Sequence, residues 1–404
     1  VGDVGSEVHE ERPRLDGSIT EQRFASFVDK QRRRSSEAAK TLLPLLSVSH
    51  EVFRGRSAGS ATRMRAYAMA AFHDSGLPND ALPYVVEVLE TSFRPNLVAA
   101  AARAIKGGAA PDARLADYLV RAIYNIWQND QPVSFEAYDV TWPLTSFSTA
   151  LSEVLEAVAW LGPAAHHVVP DLEVLLSTYS ARFSPETRAV IARCIESLRS
   201  YAATTPRTCC GSAPLIEPGI VTTEHDLNLS SIEVEDQDGG KFEWGYFFHG
   251  KPSVVAFFYA TCMNPRKCVQ TIYNLVEIHR GLLDAGLDGQ IRVAAISYDP
   301  HRDTAAVLRQ YGESKGVPFG ADFKMMRVPS QLNSVVDAFD LGVNYGGNQV
   351  NDHRIELYLL DSKGRIAHRF LRLQADPGSV VAELARLANV PRNKHMACHS
   401  GGGQ

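Results

Sequence analysis

Two cysteines separated by five residues, Cys262 and Cys268, lie where the apolar run Ser253–Ala260 gives way to a helical pattern. Thiols at such a strand-to-helix junction sit at the carboxyl edge of a sheet. There the helix N-terminal amides and the neighbouring Arg266 and Lys267 are expected to lower their pKa values and favour thiolates. A thiolate is both a nucleophile and a soft-metal ligand. The pair therefore suits metal binding, thiol-disulfide exchange with Cys262 attacking and Cys268 resolving, or a plain structural disulfide.

Three other groups of chemistry-bearing residues are weaker. Adjacent Cys209-Cys210 would form only a strained disulfide, so a structural or incidental role is expected. His395-Met396-Ala397-Cys398-His399 is similar to a haem-attachment C-x-x-C-H sequence with its first cysteine replaced by histidine. Too little chain follows Cys398 and His399 to build a cytochrome, and the tail is expected to bind no haem. His166-His167 reads as a solvent-exposed turn.

The elements that position the cysteine pair follow from periodicity. After Asp226, Ser253–Tyr259 and Arg292–Ser297 are continuous apolar runs suited to strands buried on both faces, with a helix over Val269–Leu283 between them. A helix is expected over Thr304–Gly312, and strands over Arg354–Leu360 and Arg365–Phe370 joined by an Asp361-Ser362-Lys363-Gly364 turn. Pro377–Ala388 reads as a closing helix. This is an α/β domain with a mixed sheet flanked by helices.

From Arg23 to Arg199 the apolar residues instead recur at helical spacing. Leu82, Val85, Val86 and Leu89 share one face, as do Leu115, Leu119, Ala122 and Ile126, and Val168, Leu172, Leu175 and Tyr179. Breaks at Ser75–Pro78, Gly107–Pro111 and Leu161–Pro163 divide the pattern into helical hairpins, and a Pro-bearing polar stretch from Gln128 to Phe147 interrupts it. The expected architecture is an all-α, HEAT-like helical repeat followed by the α/β domain. The divisions are an N-terminal extension 1–22, the repeat 23–200, a linker 201–225, the α/β domain 226–390 and a tail 391–404. The repeat gathers no nucleophile, base or ligand set and is expected to dock protein partners, so that deleting residues 1–200 should spare metal binding.

The order of Asp238-Gly239-Gly240, the Val254–Tyr259 strand, the Thr261-Cys262 loop start, Ile296-Ser297-Tyr298-Asp299-Pro300 with Arg302-Asp303-Thr304, and Asp352-His353 before a strand ending in Asp361 and Gly364 resembles the SCO/SenC family. That resemblance implies a thioredoxin-like fold over about 227–387. In the family, two loop cysteines and a distant histidine bind copper and serve assembly of the copper A centre of cytochrome oxidase. The implied ligands are Cys262, Cys268 and His353, with Asp299 beside them. Two thiolates and an imidazole are also a chemically coherent set for Cu(I), or for Cu(II) with a weak further ligand. The family's spacing is C-x3-C with flanking prolines, whereas this chain has C-x5-C with Pro265 inside the loop.

Composition narrows the alternatives. With 404 residues, 45% hydrophobic and 22% charged, the chain is long enough for two domains with cores of their own. A net charge of −5 argues against a generic nucleic-acid binder, and the basic run Lys30–Arg34 is expected to be a solvated helix face. No apolar stretch approaches the roughly 20 residues of a membrane helix. The start, Val1-Gly2-Asp3, has no initiator Met and no basic-then-apolar signal pattern, as expected of a processed chain or equally of one begun artificially at this point. The expected function is an extracytoplasmic copper-binding protein. Its rivals are a thiol-disulfide oxidoreductase and a structural subunit of a redox assembly.

Overall fold

The computed structural model describes residues 13–33, 35–138, 147–201 and 227–388. Cys209, Cys210, Arg34, Cys398, His399 and nearly all of the expected linker and tail lie outside them. The chain divides into a helical unit, 1–215 together with the short segment 344–353, and an α/β unit, 216–343 with 354–404.

The helical unit contains α1 (Glu21–Arg32), α2 (Ser35–Leu42), α3 (Ala58–Ala70), α4 (Phe72–Ser75), α5 (Leu82–Thr91), α6 (Pro95–Ile105) and α7 (Arg114–Ile126). A two-residue ladder, β1 (Pro132–Val133) with β2 (Ser148–Thr149), precedes α8 (Ala150–Leu161), α9 (Val169–Thr178) and α10 (Pro185–Ser200). Capping fixes several starts: Ser57, Thr149 and Ser184 each accept an N–H from the first turn of α3, α8 and α10. Gly76 and Gly162 take positive φ at two of the expected breaks, where a side chain would be strained. Helix α3 packs on α6, α6 on α8 and α8 on α10, while α5 packs on α6 and α7, and α7 on α8.

Val85, Val86 and Leu89, and the whole Leu115, Leu119, Ala122 and Ile126 set, are buried as their spacing predicts, while Tyr179 is only half-buried. His167 is exposed and pairs with Asp117 at 3.2 Å. The basic run departs from a solvated face: Gln31 is buried, and Arg32 lies over the Tyr67 ring and donates to the Phe135 carbonyl at 2.8 Å. Aromatic and carbonyl partners are what draw this guanidinium inward.

The α/β unit is built on a seven-stranded mixed sheet of order β11-β10-β5-β6-β7-β3-β4. Its strands are β3 (Glu233–Asp236), β4 (Lys241–Glu243), β5 (Ser253–Phe258), β6 (Arg292–Ser297), β7 (Phe323–Arg327), β10 (Glu356–Leu360) and β11 (Ile366–Leu371). Strands β5, β6 and β7 run parallel, and antiparallel pairs extend the sheet on both sides. All six residues of β5 are buried because both faces are covered. On one face Val254, Ala256 and Phe258 meet α12 (Gln270–Asp284), α13 (Ala305–Ser314) and α15 (Pro377–Leu387) through Ile272, Leu275, Leu308 and Leu384. On the other, Phe257 packs with Tyr298, Tyr358 and Phe339, the last on α14 (Leu332–Phe339), and Phe339 meets Trp244 of α11 (Trp244–Phe248).

The Asp361–Gly364 turn forms as expected, with Gly364 at φ +77° and its N–H on the Asp361 carbonyl at 2.9 Å. A hairpin of β8 (Val343–Gly346) and β9 (Gln349–His353) stands apart from the large sheet. Among the described residues no helix is long and apolar enough to cross a membrane.

Candidate metal centre

Strand β5 ends at Phe258, and the chain turns at once, with the Cys262 N–H on the Tyr259 carbonyl at 3.2 Å. The turn is tied to the next strand through Asp303. One carboxylate oxygen of this fully buried residue accepts the Ala260 N–H at 3.0 Å and the Ser297 hydroxyl at 2.5 Å. Burial pushes the Asp303 carboxyl above the usual range, offset in part by those two donors. Asp299, the residue expected beside the ligands, is occupied elsewhere, pairing with Arg302 at 2.9 Å.

The longer C-x5-C loop is absorbed by a wide turn. Asn264 caps it by accepting the Arg266 N–H at 3.0 Å, and residues Pro265–Val269 form one turn of π-helix before α12. A π turn holds an extra residue, and here it carries Cys268 inward to complete burial. Gln374 secures the turn by donating to the carbonyls of Arg266 and Lys267 at 3.2 and 3.4 Å, while its side-chain carbonyl accepts from Asn274 at 3.0 Å.

His353 closes β9 and is 3% exposed. Its backbone N–H donates to Asp352 at 2.9 Å. The next residue, Arg354, is fixed from both sides: its N–H bonds the Gly342 carbonyl at 2.7 Å, and its guanidinium meets buried Glu356 at 2.8 Å. Glu356 also accepts the Gly342 N–H at 2.9 Å.

One ligand atom from each of Cys262, Cys268 and His353 lies within 4.8 Å of the others. Atoms each about 2.3 Å from a shared ion are at most about 4.6 Å apart, so the donor set suits one soft ion with shifts of a few tenths of an ångström. Neither cysteine is in a disulfide, and the two thiols interact with each other.

The electrostatics correct one expectation. Burial pushes the Cys268 thiol well up, the adjacent Cys262 adds to the shift, and Lys267 offsets it only in part. Sequence showed the cations and the helix start, but not that Cys268 is wholly removed from water, and desolvation dominates. Burial and the two sulfurs likewise push up the Tyr311 phenol. Sequence reasoning assigned no role to Asp303, Gln374 or Glu356. The one available signal was polar side chains within apolar segments, as in Arg354-Ile355-Glu356-Leu357.

The SCO1/SenC family model matches residues 223–389. No curated protein matches the chain. Among solved structures, ScoI of Bradyrhizobium japonicum with copper bound is 25% identical, over 39% of this chain and 96% of that one, with a TM-score of 0.32. ScoI of Arabidopsis thaliana with copper bound is 19% identical, over 39% and 96%, with a TM-score of 0.33. Yeast Sco1 is 20% identical, over 40% and 94%, with a TM-score of 0.32.

Proposed function

We propose that the protein, whose residues 223–389 match the SCO1/SenC family model, binds one copper ion per chain through Cys262, Cys268 and His353. In this reading it serves as an extracytoplasmic chaperone in assembly of a cytochrome oxidase copper centre. The observation that carries the reading is the approach of two thiols and one imidazole to within 4.8 Å of one another, although His353 lies 85 positions beyond Cys268. Copper here is cargo. Two sulfurs and an imidazole match Cu(I), which is stable with two or three such ligands and so can pass between sites by ligand exchange.

The divisions 1–22, 23–200, 201–225, 226–390 and 391–404 go with this reading, the helical portion acting as a HEAT-like docking surface. Its successively packed helices support that role, since stacked hairpins expose an extended face.

The test is copper competition. Reduced protein should take up one equivalent of Cu(I) from a weak chelator, and Cu(II) should give a visible thiolate charge-transfer band. Either Cys→Ala change should abolish the band. His353→Ala should weaken binding and alter the spectrum, because two thiolates still hold Cu(I) in linear geometry. Failure of the reduced wild type to compete for copper sinks the proposal.

A second reading is thiol-disulfide exchange, favoured by two reduced thiols in contact, one half-exposed and one buried. Cys262 thiolate would attack a partner disulfide, releasing one partner thiolate. Cys268 would then displace the second, leaving an oxidised Cys262–Cys268 pair and a reduced partner. This cycle predicts no copper dependence and no effect of His353.

A further inference from the structure

The hairpin that ends on His353 packs within the helical unit. Arg65 of α3, 4% exposed, donates to the Asp352 carboxylate at 2.9 Å and to the Leu46 carbonyl at 2.8 Å. The other oxygen of Asp352 accepts the His353 backbone N–H at 2.9 Å, so one carboxylate links helix α3 to the backbone of His353. One residue earlier, Asn351 donates to the Arg56 carbonyl at 2.8 Å, and its backbone carbonyl accepts from Arg94 at 3.2 Å. Arg94 is in turn anchored on the Ala58 carbonyl at 3.1 Å and on Thr62.

A hairpin this short buries too little apolar surface to be stable alone. The sequence Asn344-Tyr345-Gly346-Gly347-Asn348-Gln349-Val350-Asn351-Asp352 has only Tyr345 and Val350 as large apolar side chains, too few to fix its position by hydrophobic packing. The hydrogen bonds from α3 and its neighbours supply what the segment lacks. A buried guanidinium shared between a carboxylate and a carbonyl is a rigid, directional tether.

We propose that the helical unit is a positioning device for His353, with Arg65 and Asp352 as the positioning residues and Asn351 as the second anchor. The proposal rests on the metal-site reading for its function, though the tether can be tested without metal. It reverses the result expected on removing residues 1–200: the cysteines would keep their sulfur chemistry, but the contribution of His353 would fall.

The experiment uses full-length protein carrying Arg65→Gln, Arg65→Lys or Asn351→Ala. In the metal-free state, amide hydrogen exchange within 344–353 should accelerate about tenfold or more in Arg65→Gln and Asn351→Ala, while amides of α5 to α7 keep their rates. Loaded with Cu(II), both variants should shift in absorption and electron paramagnetic resonance toward the His353→Ala spectrum. Arg65→Lys, which keeps the charge but not the fork, should recover part of the wild-type signal. Should Arg65→Gln unfold the helices, seen as exchange throughout α5 to α7, Asn351→Ala decides. Unchanged hairpin exchange and an unchanged spectrum overturn the proposal. If wild type takes up no copper, the metal reading fails, while the exchange data still decide whether the helices hold the hairpin.

Discussion

The Tyr298 hydroxyl donates to the Glu356 carboxylate at 2.5 Å, and both side chains are fully buried. Tyr298 follows β6 and Glu356 opens β10, so this bond joins the strand ends on either side of β5 three residues after His353. Burial and the adjacent carboxylate both push the Tyr298 phenol up, which keeps it a proton donor. Tyr298→Phe should cost about 1–3 kcal/mol by leaving one carboxylate oxygen unpaired. Glu356→Ala should cost about 3–5 kcal/mol because it removes the close carboxylate from buried Arg354 and leaves it the Asp340 carboxylate, at 4.0 Å, as counter-charge. Urea unfolding measures both, and equal losses would contradict this ranking.

Gly342 allows Arg354 to lie across the backbone. A Cβ at 342 would stand 2.0 Å from the Arg354 Nε, in the buried middle of that side chain. Gly342→Ala should cost about 1–3 kcal/mol for the clash, rising toward about 3–5 kcal/mol if Arg354 is forced off Glu356. A variant as stable as wild type in urea would show that Arg354 has room to move.

Asp303 gives a pH dependence of defined sign. Its folded-state pKa is raised by burial, so the folded chain holds the proton more tightly than the unfolded chain. At pH values below the ordinary aspartate range both states are protonated and the group contributes nothing. As pH climbs through that range the unfolded chain ionises first, and stability is lost until the folded carboxyl also titrates. An amide at this position cannot ionise, so the stability of Asp303→Asn relative to wild type should grow from pH 3 to pH 7. A gap that stays level or narrows across urea titrations at pH 3, 5 and 7 refutes the assignment.

Gln374 is predicted to control access to Cys268. Gln374→Ala removes the donor to the carbonyls of Arg266 and Lys267 and should loosen the π turn. Alkylation of Cys268, followed by peptide mass spectrometry, should then accelerate, with the rate at Cys262 little changed. Identical labelling of Cys268 in both proteins would mean that core packing alone holds the turn.

The parts of this fold legible in sequence were those whose burial is encoded locally. Ser253–Phe258 and Arg292–Ser297 read as strands because parallel strands covered on both faces become uninterrupted apolar runs. Strand β7, Phe-Lys-Met-Met-Arg, did not, because Lys324 and Arg327 are neutralised by Asp236 and Glu235, some 90 positions away. The β8–β9 hairpin was hidden for the same reason: its polar residues make sense only beside Arg56, Arg65 and Arg94. Of the candidate site, the three residue types were readable from the motif order, but the depth of Cys268 was not. Burial depends on a turn width that spacing alone does not fix, and it inverted the expected direction of the thiol shift.

Exposure is unequal across the three site residues. Cys268 and His353 are buried, Cys262 is half-exposed, and Met263 beside it is 93% exposed. Among the described residues the group is therefore sided, with Cys262 as its exposed member. A thiol, ion or reagent that enters on this side meets the Cys262 sulfur before the other two, and one departing by the same side leaves it last. Traffic through the site is ordered by the shape of the loop, whichever cargo it carries.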